Sequence, residues 1–266
     1  MNSSFIMEKE ILEKIKQKRE FSQLPNIDIK LAYENFAKKQ CGEEEKIKLT
    51  KELLRENFSA FVSKKLLSLK NKEPEWILRK HISTRERLLH YEEIYKRIFS
   101  GLKKASVIDL GSGINGFSYD FFEKLKNKVD YTAVESVGQL VDLMNFYFKK
   151  EKLSANAIHG SLFEKKKIYE IIKKQEKPRI IFLFKVIDAL EKIEKDYSKK
   201  LISEIAPLAD KFVLSFATKS LGNRKTFHVK RNWILDFIKD NFETLDDFEI
   251  GGERYLVFKT SPKKFK

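Results

Sequence analysis

The chain has 266 residues, 42% of them hydrophobic, which leaves room for one sizeable core or for a core domain with a smaller one beside it. Its 54 Lys and Arg outnumber 39 Asp and Glu, a formal charge of +15 shared between residues 1–105 (net +8) and the remainder (net +7), so the excess is no basic tail and suits a polyanion, nucleic acid above all. The single cysteine, Cys41, excludes an intramolecular disulfide and a cysteine-based metal site, the scattered histidines offer no metal set, and no run of 18 apolar residues suggests a membrane span.

The opening stretch, MNSSFIMEKEILEKIKQKRE, lacks the apolar segment of a signal peptide and reads as an amphipathic helix. Together with the cysteine usage this points to the cytoplasm. Up to about residue 100 the rhythm stays helical: "ILEKIKQKRE" and "EEEKIKLTKELLRENFSAFVSKKLLSLK" space their apolar residues by three and four, and Pro25 and Pro74 punctuate them. In "ISTRERLLHYEEIYKRIFSGL" Ser83 is placed as an N-cap with Glu86 three residues on, a capping box, and Gly101 stands at the far end as a stop.

After residue 104 short apolar runs alternate with helical patterns. The runs are "ASVIDL", "DYTAVE", "ANAIHG", "PRIIFLFK" and "DKFVLSFA", which predicts right-handed βαβ units and a parallel sheet. "FETLDDFEI" and "ERYLVFKT" follow, joined directly by Gly251-Gly252, a hairpin. Five parallel strands closed by an antiparallel hairpin resemble the seven-stranded sheet of class I S-adenosylmethionine-dependent methyltransferases. The predicted fold is therefore α/β, doubly wound and mostly parallel, with an N-terminal helical domain over residues 1–75 and the methyltransferase domain over 76–266.

"VIDLGSGINGF" sits at the carboxyl end of the first strand, near the switch point where such sheets bind ligands. Gly111 and Gly113 allow backbone angles closed to other residues and let a cofactor approach the main chain. The spacing of Gly111, Gly113 and Gly116 also fits a dinucleotide loop; the preceding Asp109 and the late hairpin favour the methyltransferase reading. Glu135, at the end of the second strand, is placed to hold ribose hydroxyls.

The methyl acceptor is approached by elimination. Pyrimidine C5 methylation needs a cysteine nucleophile, and Cys41 lies in the helical half, away from the sheet. Base-amino methylases carry Asn/Asp-Pro-Pro-aromatic after the fourth strand, where this chain has "FKVIDAL". Ribose 2′-O methylation commonly uses a Lys-Asp-Lys-Glu set, which Asp188, Lys219 and Glu249 or Glu253 could partly imitate, so it stays open. Guanine N7 has a free lone pair and needs positioning more than a base. A non-catalytic RNA-binding protein with a degenerate cofactor pocket is the reading from another class.

Four motifs in order carry a closer resemblance. "HISTRERL" (81–88), "VIDLGSGINGF" (107–117), "FLFKVIDALEK" (182–192) and "VLSFATKSLGNR" (213–224) resemble segments of the aminoglycoside-resistance methyltransferases of 16S ribosomal RNA, the ArmA/Rmt/Sgm group. The similarity covers roughly residues 76–259. It implies N7 methylation of a guanine in the A-site region of the 30S subunit, S-adenosylmethionine as cofactor and aminoglycoside resistance as a role. It implies that Arg87 meets the methionine carboxylate, that His81, Asp109, Gly111, Gly113, Glu135 and Ser161 line the cofactor site, and that Lys185, Ser215 and Lys219 lie near the incoming base or its phosphates. The basic helical half would dock on the RNA. The chain departs from the family at Gly116 and Ala217, where the family has Pro, and at Lys219, where it usually has Arg. Ser161 stands where many methyltransferases place an Asp beside the adenine.

Overall fold

The computed structural model describes residues 3–58, 72–218 and 231–261. Helices α1 (Ser3–Lys16), α2 (Asn26–Ala37) and α3 (Glu43–Phe58) come first, then α4 (Pro74–Leu78), α5 (Ile82–Arg87) and α6 (Tyr91–Ile98). The alternating region runs β1 (Lys104–Leu110), α7 (Asp120–Lys124), β2 (Lys128–Glu135), α8 (Gly138–Lys150), β3 (Ala155–His159), α9 (Lys165–Lys173), β4 (Arg179–Phe184), α10 (Ile187–Ile193), α11 (Tyr197–Ile205) and β5 (Lys211–Ala217). It closes with α12 (Asn232–Asn241), β6 (Phe242–Ile250) and β7 (Glu253–Thr260).

All seven expected strands form, in one sheet of order β3-β2-β1-β4-β5-β7-β6. The first five strands pair in parallel, and β7 runs antiparallel to both β5 and β6. The turn between β6 and β7 holds Gly251 at φ +62° and Gly252 at φ +78°, the left-handed pair that a two-residue hairpin needs. Strand order reverses between β1 and β4, which puts the switch point above Leu110 and Phe184.

The strands read as near-continuous apolar runs because both faces are covered. Successive residues divide between two cores: Val107 and Phe182 pack with α6, α7 and α8, while Ile108 and Leu183 pack with α9, α10, α11 and α12. Ile11, Ile15, Phe21 and Leu54 of the N-terminal segment belong to the first of these cores. Polar contacts hold that segment over the carboxyl end of the sheet, among them Asn35 Nδ2 donating to Ile193 O (3.0 Å), Gln139 Nε2 donating to Arg19 O (3.2 Å), and Lys192 paired with Glu56 (2.9 Å).

The capping box does not form. His81, not Ser83, occupies the N-cap of α5 and makes no side-chain cap bond; Ser83 lies within the first turn. Thr84 ties this helix start instead, its hydroxyl donating to Leu78 O (2.6 Å). Glu86 reaches away from the helix N-terminus to Lys185 Nζ (2.7 Å). The expected single helix is also broken between Arg87 and Tyr91, although Gly101 does stand in the left-handed region (φ +77°) just beyond α6. Buried Thr84, Arg87, Tyr91, Ile94, Tyr95 and Ile98 keep helical spacing straight across the break, so periodicity gives no sign of it. Ser83→Ala should therefore shift stability by no more than about 0.5 kcal/mol, well below a lost cap. Glu86→Ala should cost roughly 1 kcal/mol through Lys185, since Glu86 is a third exposed and Glu253 still faces the ammonium. Urea denaturation of the two variants checks both values.

Candidate active site

A cleft of about 850 Å³, counted with its solvent-open mouth, sits at the switch point. Its floor is the loop after β1, Gly111 to Asn115, and its walls come from the ends of β2 and β4. Asp28 of α2 and Asn57 and Phe58 of α3 contribute from above, so the N-terminal segment roofs it.

Gly111 is locked into the fold. Its φ is +69°, and a Cβ there would meet Val186 at 2.8 Å. Gly113 is different: its φ is +55°, yet a Cβ would meet nothing within 4 Å. The space beside its main chain is kept open toward the cleft. Glu135 anchors this loop, accepting from Gly113 N and Val137 N, each at 2.8 Å. Burial raises its carboxyl above the usual range, and the two backbone donors offset part of that.

Asp109 holds the other side of the loop. Its Oδ2 accepts from Asn115 Nδ2 (2.7 Å) and Tyr131 OH (2.6 Å), while burial raises its pKa. Asn115 passes the network on, its Oδ1 accepting from Tyr91 OH (2.8 Å) and Arg87 Nη1 (3.2 Å). Arg87 is 4% exposed, and its Nε donates to Glu253 Oε2 at 3.0 Å. Burial opposes the guanidinium's charge most strongly, but the charge and hydrogen bond of Glu253, together with Tyr255 and Tyr91, outweigh it and raise the pKa.

Glu253, the first residue of β7, is the hub. It binds Arg87, receives Lys185 Nζ at 3.2 Å and accepts a hydrogen bond from Ser215 Oγ. Burial alone would raise its pKa; Arg87 and Lys185 overcome that and hold it below the usual carboxylate range. Lys185 follows β4 at φ +56°, a strained conformation for lysine, of the sort that gathers at functional sites. Its N–H donates to Ser215 O (3.0 Å), which fixes the turn.

His81, Arg87, Asp109, Gly111, Gly113, Glu135 and Lys185 all line this one cleft. Burial, then the charges of Arg87 and Lys185, push His81 down to about 3, so it is neutral at physiological pH. Ser215 and Ser161 lie one layer back: Ser215 hydrogen-bonds Glu253, and Ser161 Oγ hydrogen-bonds Asp28 Oδ1. Lys219 and the later part of its motif, residues 220–224, lie outside the described residues. Gly116, where the family resemblance expects Pro, is crowded: a Cβ there would meet the Phe148 ring at 2.7 Å and Met144 Sδ at 2.9 Å, so a larger residue would require these side chains to move.

Sequence reading missed Asn115 as a bridge and Asp28 altogether. An Asn inside a glycine loop was the available signal for the first. Asp28 occupies the first turn of an amphipathic helix, where an acidic residue ordinarily complements the helix dipole, so nothing marked it.

A family model described as ribosomal RNA methyltransferase (FmrO) matches residues 53–247. The chain belongs to this FmrO family of ribosomal RNA methyltransferases. The match takes in both walls of the cleft and its glycine loop. A curated relative, the 16S rRNA (guanine(1405)-N(7))-methyltransferase of Proteus mirabilis, is 26% identical over 195 residues, 68% of this chain and 63% of the relative. Among solved structures, the 16S rRNA methyltransferase RmtF in complex with S-adenosyl-L-homocysteine superposes with a TM-score of 0.79 at 17% identity, covering 98% of this chain and 100% of that one. The 16S rRNA methylase RmtB gives 0.74 at 17% identity, covering 96% and 98%. The FmrO-family chain thus shares its fold, N-terminal helices included, with these structures. No described helix is long and apolar enough to cross a membrane.

Proposed function

We propose that this chain is an S-adenosylmethionine-dependent methyltransferase that modifies guanine N7 in the A-site region of 16S ribosomal RNA, acting on the small subunit in the cytoplasm. The observation that carries the reading is the convergence of Gly113, Glu135 and Arg87 on one cleft at the switch point. The cleft fits the cofactor: open space lies beside Gly113, and a largely buried carboxylate that lines the cleft sits at the end of β2. When bound, S-adenosylmethionine supplies an electrophilic methyl group on a sulfonium centre.

The chain's own residues divide the remaining work. Glu135, its Oε1 and Oε2 each held by one backbone N–H, keeps lone pairs for ribose hydroxyls. Arg87 has Nε and Nη1 committed to Glu253 and Asn115, so Nη2 is the atom that would meet a ligand carboxylate. Lys185 presents its ammonium at the cleft wall, where an RNA phosphate or base would arrive. Ser215 positions Glu253, and Lys219 is assigned to the RNA on its motif alone. Guanine N7 carries a free lone pair, so holding base and methyl group in line accounts for the chemistry without a general base.

Of the ribose 2′-O candidates, Lys219 lies outside the described residues and Glu253 is committed to Arg87, Lys185 and Ser215. Asp188 is bound by Arg231 (2.6 Å) and Glu249 by Thr218 (2.7 Å), and neither lines the cleft. The basic N-terminal helices, residues 1–75, remain the proposed RNA-docking domain. Aminoglycoside resistance is the biological role this reading implies.

The test is to incubate 30S subunits with tritiated S-adenosylmethionine and the protein. The modified base is then mapped by borohydride–aniline cleavage and reverse-transcription stops. One labelled guanine in the A-site region is expected. Gly113→Val should abolish the label and weaken cofactor binding more than about tenfold, because the new side chain fills the ligand's space. A β-branched residue at that φ also costs roughly 1–2 kcal/mol of strain, which a domain of ordinary stability survives. Label on a ribose, or unaltered cofactor affinity in folded Gly113→Val, would overturn the assignment.

A further inference from the structure

Among the described residues, Asp28 is the one carboxylate in the cleft that comes from the N-terminal segment. It is 1% exposed, and its Oδ1 is taken by Ser161 Oγ. Its Oδ2 is buried and meets no donor in hydrogen-bonding geometry among the described residues; the Ser136 hydroxyl is near enough to favour the charged carboxylate but is not aligned on that atom. An orphaned carboxylate oxygen in a wall of a ligand cleft is costly unless a ligand satisfies it. Burial, reinforced by the charges of Glu135 and Glu164, pushes the Asp28 carboxyl up to about 7, so the fold does not place it there for its own stability.

Its surroundings narrow the ligand group. Ser161 follows β3, the strand beyond the one that ends in Glu135, and Glu135 is near enough for its charge to act on Asp28. Leu162 and Val186 flank Gly111 on this side and make an apolar slot. A flat, apolar ring system that continues from a ribose held at Glu135 would enter that slot and present its rim to Asp28. The free atom there is an acceptor, so the matching group on the rim is a donor.

We propose that Asp28, delivered by α2, recognises the exocyclic amine of the cofactor's adenine, accepting its hydrogen bond on Oδ2. Ser161 then acts as a positioning residue that turns the carboxylate into the cleft. The N-terminal segment thereby completes the cofactor site as well as roofing it. This rests on the cofactor reading above.

The test compares S-adenosylhomocysteine with S-inosylhomocysteine, in which a carbonyl oxygen replaces the amine, by calorimetry on the full chain. The wild type should prefer the adenosyl compound by roughly ten- to a hundredfold, the range for a hydrogen bond to a charged acceptor. In Asp28→Ala the adenosyl compound should weaken by a similar factor and the inosyl compound hardly at all, so the preference collapses. Asp28→Asn, which keeps the volume, should lower or invert the preference because its Nδ2 can donate to the carbonyl. The preference is a ratio within each variant, so partial loss of folded protein does not imitate its collapse. An unchanged preference in both variants, or equal loss of both ligands, would overturn the assignment and leave Asp28 as packing. If the wild type binds neither compound, the cofactor reading falls and takes this inference with it.

Discussion

Glu253→Ala should lower the stability of the fold by about 3–5 kcal/mol, the usual cost of removing one partner from a buried ion pair. The side chain leaves behind a guanidinium that is 4% exposed and Lys185 Nζ, which would keep only Glu86. Ser215 Oγ, fully buried, loses its acceptor as well. At about 2–4 °C per kcal/mol for a chain of this size, the melting temperature should fall by on the order of 10 °C. Removing both members of the pair separates charge from packing. Arg87→Met combined with Glu253→Met should recover most of the loss, because no unpaired charge remains inside. The double variant should still bind cofactor poorly if Nη2 of Arg87 holds the ligand carboxylate. A double variant no more stable than Glu253→Ala would show that packing, and not charge, sets the value.

Asp28→Asn should make the protein more stable at pH 8, by up to about 4 kcal/mol, and change it little at pH 4. Burial, with Glu135 and Glu164 nearby, raises this carboxyl from 3.8 to about 7, while the hydroxyls of Ser161 and Ser136 act the other way. The folded-state value lies above the unfolded one, so the fold disfavours the ionised form. Below about pH 4 the side chain is protonated in both states and no stability is lost. Between about pH 4 and 7 the unfolded chain ionises first and stability drains away; above that window the whole loss remains. Each pH unit of separation is worth about 1.4 kcal/mol, which sets the upper figure. Glu135 and Asp109 are raised in the same direction, so the quantity to measure is the difference between variant and wild type in denaturant midpoints across pH 4–8. A constant difference would mean that Asp28 is charged in neither state or in both alike. A stabilising substitution that spoils adenine recognition is the expected signature of a side chain kept for binding.

The sequence by itself determined the strands and their order of appearance. Runs such as "IIFLF" are apolar at every position because helices cover both faces of a parallel sheet, and that burden is written locally, residue by residue. It determined the hairpin too, since a two-residue turn with both φ positive favours Gly, Asn and Asp, and Gly251-Gly252 stands directly between two strand patterns. The glycine loop and Glu135 were legible as a ligand-binding strand end, since Gly-x-Gly after the first strand and an acidic residue closing the second are both local patterns.

Tertiary structure alone decided the rest. Glu86 looks like half of a capping box in sequence, but Lys185, 99 residues away, offers a partly buried cation, and that pairing prevails over a helix end that Thr84 already ties. Glu253 gives no local hint of being a hub, because Arg87, Lys185 and Ser215 come from three separate elements brought together only by the packing of β4, β5 and β7. Asp28 is the extreme case. Its partner Ser161 lies 133 positions along the chain, and its role arises from where α2 lands on the sheet. Spacing rules reach only along one element, and an electrostatic partner is set by distance through space; only the folded chain brings Asp28 to the cleft.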